Sequence, residues 1–126
     1  MEWKFSEDLP IYQQIMDGIK QRIATGDWTQ GQKLPSVREL AVQAGVNPNT
    51  MQKALAELER EGLLYTKRTA GRFVAEQEGI TTELQEEMME KYVEEFIANM
   101  KSLGYTLSDI TEIFQKKTEQ ERRIKR

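Results

Sequence analysis

Two short amphipathic helical patterns that meet at a turn occupy residues 34–58, and they constrain the fold of this chain most strongly. The first pattern opens with Ser36 and Glu39, which match a capping box: each side chain accepts a hydrogen bond from a free backbone N–H. Apolar residues then recur at helical spacing: Val37, Leu40, Ala41 and Ala44. Gly45 follows, where a left-handed residue can end the helix.

The second pattern begins at Asn47, a typical helix cap, followed by Pro48, whose missing N–H is not needed at the first helical position. Its apolar stripe consists of Met51, Ala54, Leu55 and Leu58. Four polar residues therefore point outward from the first turn and a half: Asn49, Thr50, Gln52 and Lys53. The two patterns and the turn between them predict a helix-turn-helix.

The outward residues of the second helix have the chemistry of a DNA reader. The free N–H groups and positive dipole of a helix start favour phosphate. The amides of Asn49 and Gln52 can pair bidentately with adenine, and the Thr50 methyl group can contact thymine. Polar residues at a helix start are also common as simple caps, so the two helices alone leave an ordinary helical domain open.

A basic hairpin follows the second helix. Gly62 ends that helix, and residues 63–66 and 71–74 read as two short strands around a tip at residues 67–70. We expect Gly71 to allow close approach of the backbone to a sugar-phosphate strand, and Arg68 and Arg72 to enter a narrow minor groove. A solvated basic tip without a partner is the alternative interpretation.

Together these segments resemble the winged helix-turn-helix of GntR-type bacterial transcription regulators. The resemblance covers residues 8–75 and rests on PIYQQIMDGIKQRIATGDWTQGQKLPS, LPSVRELA, GVNPNTMQKALAELEREGLL and GRFV. The NPNT motif and the short tail are similar to the small YtrA-like subgroup. The wing departs from the family pattern at two positions, because Thr69 stands where glycine is frequent and Arg72 where a small hydroxyl residue is common.

The resemblance implies that Arg38 reads or clamps DNA, that Asn49, Thr50 and Gln52 lie in the major groove, and that Gly71 lies at the wing. With the capping and basic residues of the same surface, the predicted DNA-binding set is Ser36, Arg38, Asn47, Asn49, Thr50, Gln52, Lys53, Lys67, Arg68, Gly71 and Arg72.

The composition argues against catalysis, metal binding and membrane insertion. The chain has no cysteine and no histidine, so thiolate zinc sites and Ser-His catalysis are excluded. Adjacent glutamates such as Glu86 and Glu87 point in different directions on a helix and read as a solvated face. No apolar run is long enough to span a membrane and no leader is evident. We therefore expect a cytoplasmic protein that is not an enzyme, with no metal and no cofactor.

The charge distribution is compatible with a DNA partner although the whole chain carries −3. Residues 33–75 contain seven basic and four acidic side chains, a local charge of +3 that leaves −6 for the rest. A localised positive face is what phosphate contact requires.

The chain before this surface reads as an arm and a helix. Trp3 and Phe5 in the arm form either a brief strand or a packing contact. Leu9 and Pro10 then open an amphipathic helix that continues to about Thr25. Trp28 in the following turn is expected to fill the core, with stacking on a nucleic-acid base as the alternative.

Two further amphipathic helices follow a hinge at residues 76–79. Thr82 is expected to cap the first in a capping box, Gly104 to end it, and Thr106 or Ser108 to cap the second. Because two helices expose more apolar surface than they can bury against each other, we predict a dimer. Its interface is predicted to contain Leu84, Met88, Tyr92, Phe96, Met100, Leu107, Ile110 and Phe114.

The predicted fold class is mainly α with a small β-hairpin. Residues 1–78 form a winged helix-turn-helix DNA-binding domain and residues 79–126 a two-helix dimerisation hairpin. Alternatives for the hairpin are a monomer folded back on the winged domain and a small-ligand pocket lined by methionines. A small-molecule effector stays open, although no polar group apart from Tyr92 marks a site.

The predicted function is sequence-specific binding of double-stranded DNA by a homodimer at an inverted-repeat, palindromic operator. Two copies of the second helix would enter major grooves about 10 bp apart or a multiple of that distance. The resemblance implies a repressor. A protein-interaction scaffold and a plasmid replication or partition factor are the alternative functions.

Overall fold

The computed structural model describes residues 2–124 and is mainly helical with one β-hairpin, which confirms the predicted fold class. Along the described part the elements are α1 (Ile11–Ala24), α2 (Val37–Ala44), α3 (Pro48–Arg60), β1 (Leu64–Lys67), β2 (Gly71–Val74), α4 (Ile80–Ser102) and α5 (Leu107–Ile124). The chain divides into two compact units whose boundary lies between Glu86 and Glu87. No helix within residues 2–124 is both long and apolar enough to cross a membrane.

The predicted ends of α2 and α3 are confirmed. The Ser36 hydroxyl oxygen accepts a hydrogen bond from the Glu39 N–H at 3.1 Å. Gly45 closes α2 with a φ of 68°, in the left-handed region that glycine adopts without steric cost. The side chain of Asn47 accepts a hydrogen bond from the Asn49 N–H at 2.7 Å, and Pro48 is the first residue of α3. Both caps satisfy N–H groups that have no partner inside the helix.

The core of the first unit lies between α1, α2, α3 and the base of the hairpin. Its largest fully buried side chains are Ile15, Ile19, Ile23, Leu40, Met51, Leu55, Leu58, Leu64 and Val74. The first turns of α4 belong to this unit, because Ile80 and Leu84 are buried in it and the Gln85 side chain donates to the Ala24 carbonyl at 2.8 Å. The unit therefore continues into α4.

The hairpin is joined to the residues that precede α2. Its strands are antiparallel, with Leu64 opposite Val74 and Thr66 opposite Arg72. The Leu34 N–H donates to the Arg72 carbonyl and the Val74 N–H donates to the Gln32 carbonyl, both at 2.9 Å. These bonds hold residues 32–34 along the free edge of β2, so the hairpin is fixed at its base.

The N-terminal arm packs on α1, so of the two expected conformations the packing contact is the one observed. The Trp3 ring lies 3.8 Å from the guanidinium carbon of Arg22, which is 4% exposed. Burial lowers the pKa of Arg22, and the charge of Asp27 opposes that shift. A Cβ atom at Gly18 would lie 3.0 Å from the Trp3 ring, so the missing side chain makes room for the indole.

The second unit consists of the rest of α4 together with α5. The predicted capping box at Thr82 is wrong, because α4 already begins at Ile80 after a turn in which the Ile80 N–H donates to the Gln77 carbonyl. Thr106 caps α5, since its hydroxyl oxygen accepts from the Asp109 N–H at 3.2 Å. Phe96 and Phe114 hold the two helices together, with ring centroids 5.4 Å apart.

Candidate nucleic-acid interface

The start of α3 has an exposed polar face, and the opposite face of the helix is buried in the core. Asn49, Gln52 and Lys53 are exposed and Thr50 is half-buried. On the opposite side of the helix, Met51 and Leu55 are at most 1% exposed. This packing fixes the rotation of α3, so the polar residues of its first turn and a half point away from the core.

Lys53 contacts an aromatic residue of α1, a pairing that the sequence did not predict. Its ammonium nitrogen lies 3.9 Å from the centroid of the Tyr12 ring, a cation–π contact. The contact holds the Lys53 charge near the start of α3. Tyr12 gave no sign of this role in the sequence, because the pairing depends on how α1 crosses α3.

The start of α2 contributes Ser36 and Arg38, both of which are exposed. The Ser36 hydroxyl also donates to Glu39 Oε1 at 3.1 Å, so both hydrogen-bonding functions of this residue serve the helix cap. Ser36 therefore acts first as a structural residue. The exposed guanidinium of Arg38 adds positive charge beside it.

The hairpin places basic side chains at its tip, where Lys67 and Arg68 are exposed. Tyr65 and Phe73 stack across the strands with ring centroids 5.5 Å apart, and the Lys67 ammonium lies 5.2 Å from the Phe73 ring centroid. Gly71 is exposed with a φ of 109°, which strains any other residue. The tip is thus a positively charged turn next to a stacked pair of aromatic rings.

A groove joins α2, α3 and the hairpin. Four of the predicted DNA-binding residues line it: Ser36, Gln52, Gly71 and Arg72. Lys33 and Trp28 also line the groove and were not predicted to lie there. Trp28 was expected to fill the core, but it is only half-buried. The one signal for Lys33 in the sequence was its position directly before the LPS motif of residues 34–36.

Arg72 lines this groove, but its side chain points toward the end of α3. Its Nη2 atom is 3.4 Å from Glu59 Oε2 near the end of α3, and its side chain is only 16% exposed. This placement differs from the expectation that Arg72 enters a minor groove. The pairing joins residues on two different elements, so no local sequence pattern could reveal it.

The residues predicted for a dimer interface fall into three groups. Tyr92, Phe96, Leu107 and Phe114 are exposed, and Met88 and Met100 are half-buried. Leu84 is 3% exposed in the first unit and Ile110 is 5% exposed in the second, so both are already covered within one chain. The uncovered apolar surface also includes Met89, Val93, Leu103 and Ile113.

Among residues 2–124, no group of three or more His, Cys, Asp or Glu side chains is placed to hold a metal ion. The acidic side chains of the second unit are spread along the exposed surfaces of α4 and α5.

Comparison with known proteins gives consistent matches. The family model described as "Bacterial regulatory proteins, gntR family" matches residues 11–74. The HTH-type transcriptional regulator YhcF of Bacillus subtilis is 42% identical over 112 residues, which cover 89% of this chain and 93% of YhcF. The HTH-type transcriptional repressor YtrA of the same organism is 39% identical over 97 residues, covering 72% and 75% of the two chains.

Solved structures agree in fold. A GntR family transcriptional regulator from Listeria monocytogenes superposes with a TM-score of 0.78 at 38% identity, covering 89% of this chain and 98% of that one. AraR(DBD) in complex with operator ORX1 superposes with a TM-score of 0.54 at 34% identity, covering 60% of this chain and 99% of that chain.

Proposed function

This chain belongs to the GntR family of bacterial regulatory proteins, and from that premise we propose that it is a transcriptional repressor that binds an inverted-repeat operator as a homodimer. It is a DNA-binding transcription regulator and not an enzyme. The similarity to the repressor YtrA over 72% of this chain favours repression over activation. A dimer bound at a promoter would exclude RNA polymerase from the same DNA.

The observation that carries the proposal is the exposed polar start of α3 beside a cationic hairpin. Asn49 and Gln52 present amides, and Thr50 presents a methyl and a hydroxyl group, on a helix end held in place by a fully buried stripe. Amide side chains suit the edge of adenine in the major groove. The similarity to AraR(DBD), whose structure contains operator DNA, supports the same use of this surface.

The basic residues around α3 are proposed to bind the DNA backbone. Lys53, Lys67 and Arg68 are exposed at the edges of the surface, where sugar-phosphate strands would pass. Contacts of this kind fix the register of the protein on the duplex but carry little sequence information. Arg38 is proposed to clamp or read DNA from the start of α2.

The second unit is proposed to form the dimer, because one copy leaves much of the apolar surface of this unit exposed. Ile110, at 5% exposure, is the one buried residue among residues 87–124. Leu107 and Phe114 are 53% and 52% exposed, and Tyr92 is 49% exposed. A unit of this size rarely folds stably without a larger core or a partner, and a second copy of the same hairpin supplies a matching apolar surface.

Twofold symmetry then determines the form of the operator. Two α3 helices related by a dimer axis would read the same bases on opposite strands, so the site would be an inverted repeat. Its half-sites would lie about one helical turn, 10 bp, or a multiple apart.

The direct test is selection of duplexes from a random-sequence pool by the purified chain, followed by titration of the enriched duplex over a salt series. We expect one inverted repeat to be enriched and its affinity to fall steeply with salt, because phosphate contacts release counterions. Enrichment of unrelated sequences, or of none, would contradict the proposal. Asn49→Ala is the control for base reading and should relax the preference at defined positions.

Light scattering tests the dimer separately, with an expected mass of twice the 14.7 kDa of one chain. Leu107→Asp should shift the chain toward monomer, because it places a charge in the proposed interface and removes an apolar side chain worth about 2 kcal/mol of burial. The substitution should not harm α5 itself, since an acidic residue in the first turn favours the helix dipole. Ser108→Asp adds the same charge in the same turn without removing apolar surface, and should leave the mass unchanged.

A further inference from the structure

The ion pair between Arg72 and Glu59 links the hairpin to the end of α3. Arg72 Nη2 and Glu59 Oε2 are 3.4 Å apart, and the two side chains are 16% and 33% exposed. Arg72 faces α3 from β2, on the same side of the hairpin as Leu64 and Val74, which form its buried base. Thr66, opposite Arg72, is exposed. On this side of the hairpin, the Arg72 ion pair is therefore the contact with α3 that lies furthest from the buried base.

This arrangement is not what hairpin stability alone would favour. Within the described residues the Arg72 Nε atom is buried without a hydrogen-bond partner, and a desolvated polar group of this kind costs free energy. A small or apolar residue at the same strand position would avoid that cost. Glu59 also lies in the last turn of α3, where a negative charge opposes the helix dipole unless a cation offsets it.

What the pair does provide is a fixed direction for the hairpin. The buried residues hold the base of the hairpin, and the Leu34 N–H holds the edge of β2 through the Arg72 carbonyl. The ion pair adds a side-chain contact from β2 to α3, which limits tilting of the hairpin toward or away from α3. Because the basic tip and the start of α3 would contact the same duplex, this angle sets whether both can contact it at once.

We propose that Arg72 is a positioning residue for DNA binding: it holds the hairpin to α3 through Glu59 and does not itself contact DNA. The proposal rests on the DNA-binding function described above. It assigns to Glu59, an acidic residue near a DNA-facing surface, a favourable effect on DNA affinity, which electrostatic attraction to phosphate alone would not give it.

The test compares Glu59→Gln with Glu61→Gln on the duplex enriched by the wild-type chain. Each variant removes one negative charge at the same end of α3, and each removes an ion pair, since Glu61 lies 3.5 Å from Lys20 on α1. Only Glu59 reaches the hairpin. General electrostatics predicts that both variants bind DNA as tightly as the wild type or more tightly.

We expect Glu59→Gln to weaken binding about fivefold, a usual size for coupled contacts, while Glu61→Gln does not weaken it. Arg72→Gln should weaken binding at least as much as Glu59→Gln, because it also removes a positive charge, and the double variant should be no worse than Arg72→Gln alone. If Arg72→Gln weakens binding while Glu59→Gln does not, Arg72 contacts DNA directly and the proposal is overturned.

Hydrogen exchange of the free protein provides a readout that needs no DNA. Backbone amides of β1 and β2 should exchange faster in Glu59→Gln than in the wild type or Glu61→Gln, with core amides of α1 unchanged. Equal protection of the hairpin in all three proteins would overturn the proposal. Failure of the wild type to enrich any duplex would instead count against the repressor function, and the exchange result would still decide the role of the ion pair.

Discussion

Asn47 combines two roles that substitution can separate. Its side chain caps α3 through a 2.7 Å hydrogen bond from the Asn49 N–H, and it is exposed on the proposed DNA surface. Asn47→Ala leaves this N–H without its partner and should lower the free energy of unfolding by about 1 kcal/mol. For a chain of 126 residues this corresponds to a fall in Tm of roughly 4 °C.

Asn47→Asp should behave differently in the two assays. The carboxylate still accepts the hydrogen bond and its charge favours the positive end of the helix, so Tm should equal or exceed that of the wild type. The same charge faces phosphate, so affinity for the enriched duplex should fall. Circular dichroism melts at one protein concentration and fluorescence anisotropy titrations measure the two quantities.

Two results would refute this reasoning. If Asn47→Asp melts as low as Asn47→Ala, the cap does not account for the stability of α3. If Asn47→Asp melts normally and binds the duplex like the wild type, Asn47 lies away from the DNA backbone and its assignment to the interface is wrong.

Further substitutions address the core, the arm and the DNA contacts. Leu55→Ala, at a position only 1% exposed, should destabilise the first unit by about 3 kcal/mol in urea unfolding, and a near-normal midpoint would mean that α3 does not depend on this core. Trp3→Ala removes the ring over Arg22 and should cost about 1–2 kcal/mol by the same measurement; no change would show that the arm does not stabilise α1. Arg68→Ala should weaken binding to all duplexes alike and flatten the slope of log affinity against log salt by about 1, whereas Asn49→Ala should relax discrimination at defined bases. The assignment of either residue fails if its variant shows the other's pattern.

The features that could be predicted from the sequence are those set by neighbouring residues. Ser36, Gly45 and Asn47 mark helix ends because a cap or a left-handed residue acts over two to four positions. The hairpin strands follow from β-forming residues around a short basic tip, and observed β1 begins one residue after the predicted start, at Leu64. Thr82 misled because a turn at residues 77–79 starts α4 before the capping motif.

The features that could not be predicted depend on how elements cross in space. Arg72 meets Glu59 thirteen residues away, and Lys53 meets Tyr12 across two helices, through packing that no short pattern encodes. Leu84 and Ile110 share the apolar spacing of their helices, yet both are covered within one chain. Gly18 offered an unused signal, because glycine inside a helix is unfavourable unless something packs closely against it.

The groove between α2, α3 and the hairpin contains one of the two tryptophans of the chain, half-buried Trp28. The other indole, Trp3, is packed on Arg22. A Trp3→Phe chain would therefore have one tryptophan, which can be excited selectively over tyrosine and lies where a bound duplex would displace water. Its emission wavelength and quenching by iodide would follow occupancy of the groove without any attached dye, so the same protein could report its own association and dissociation rates in a stopped-flow instrument.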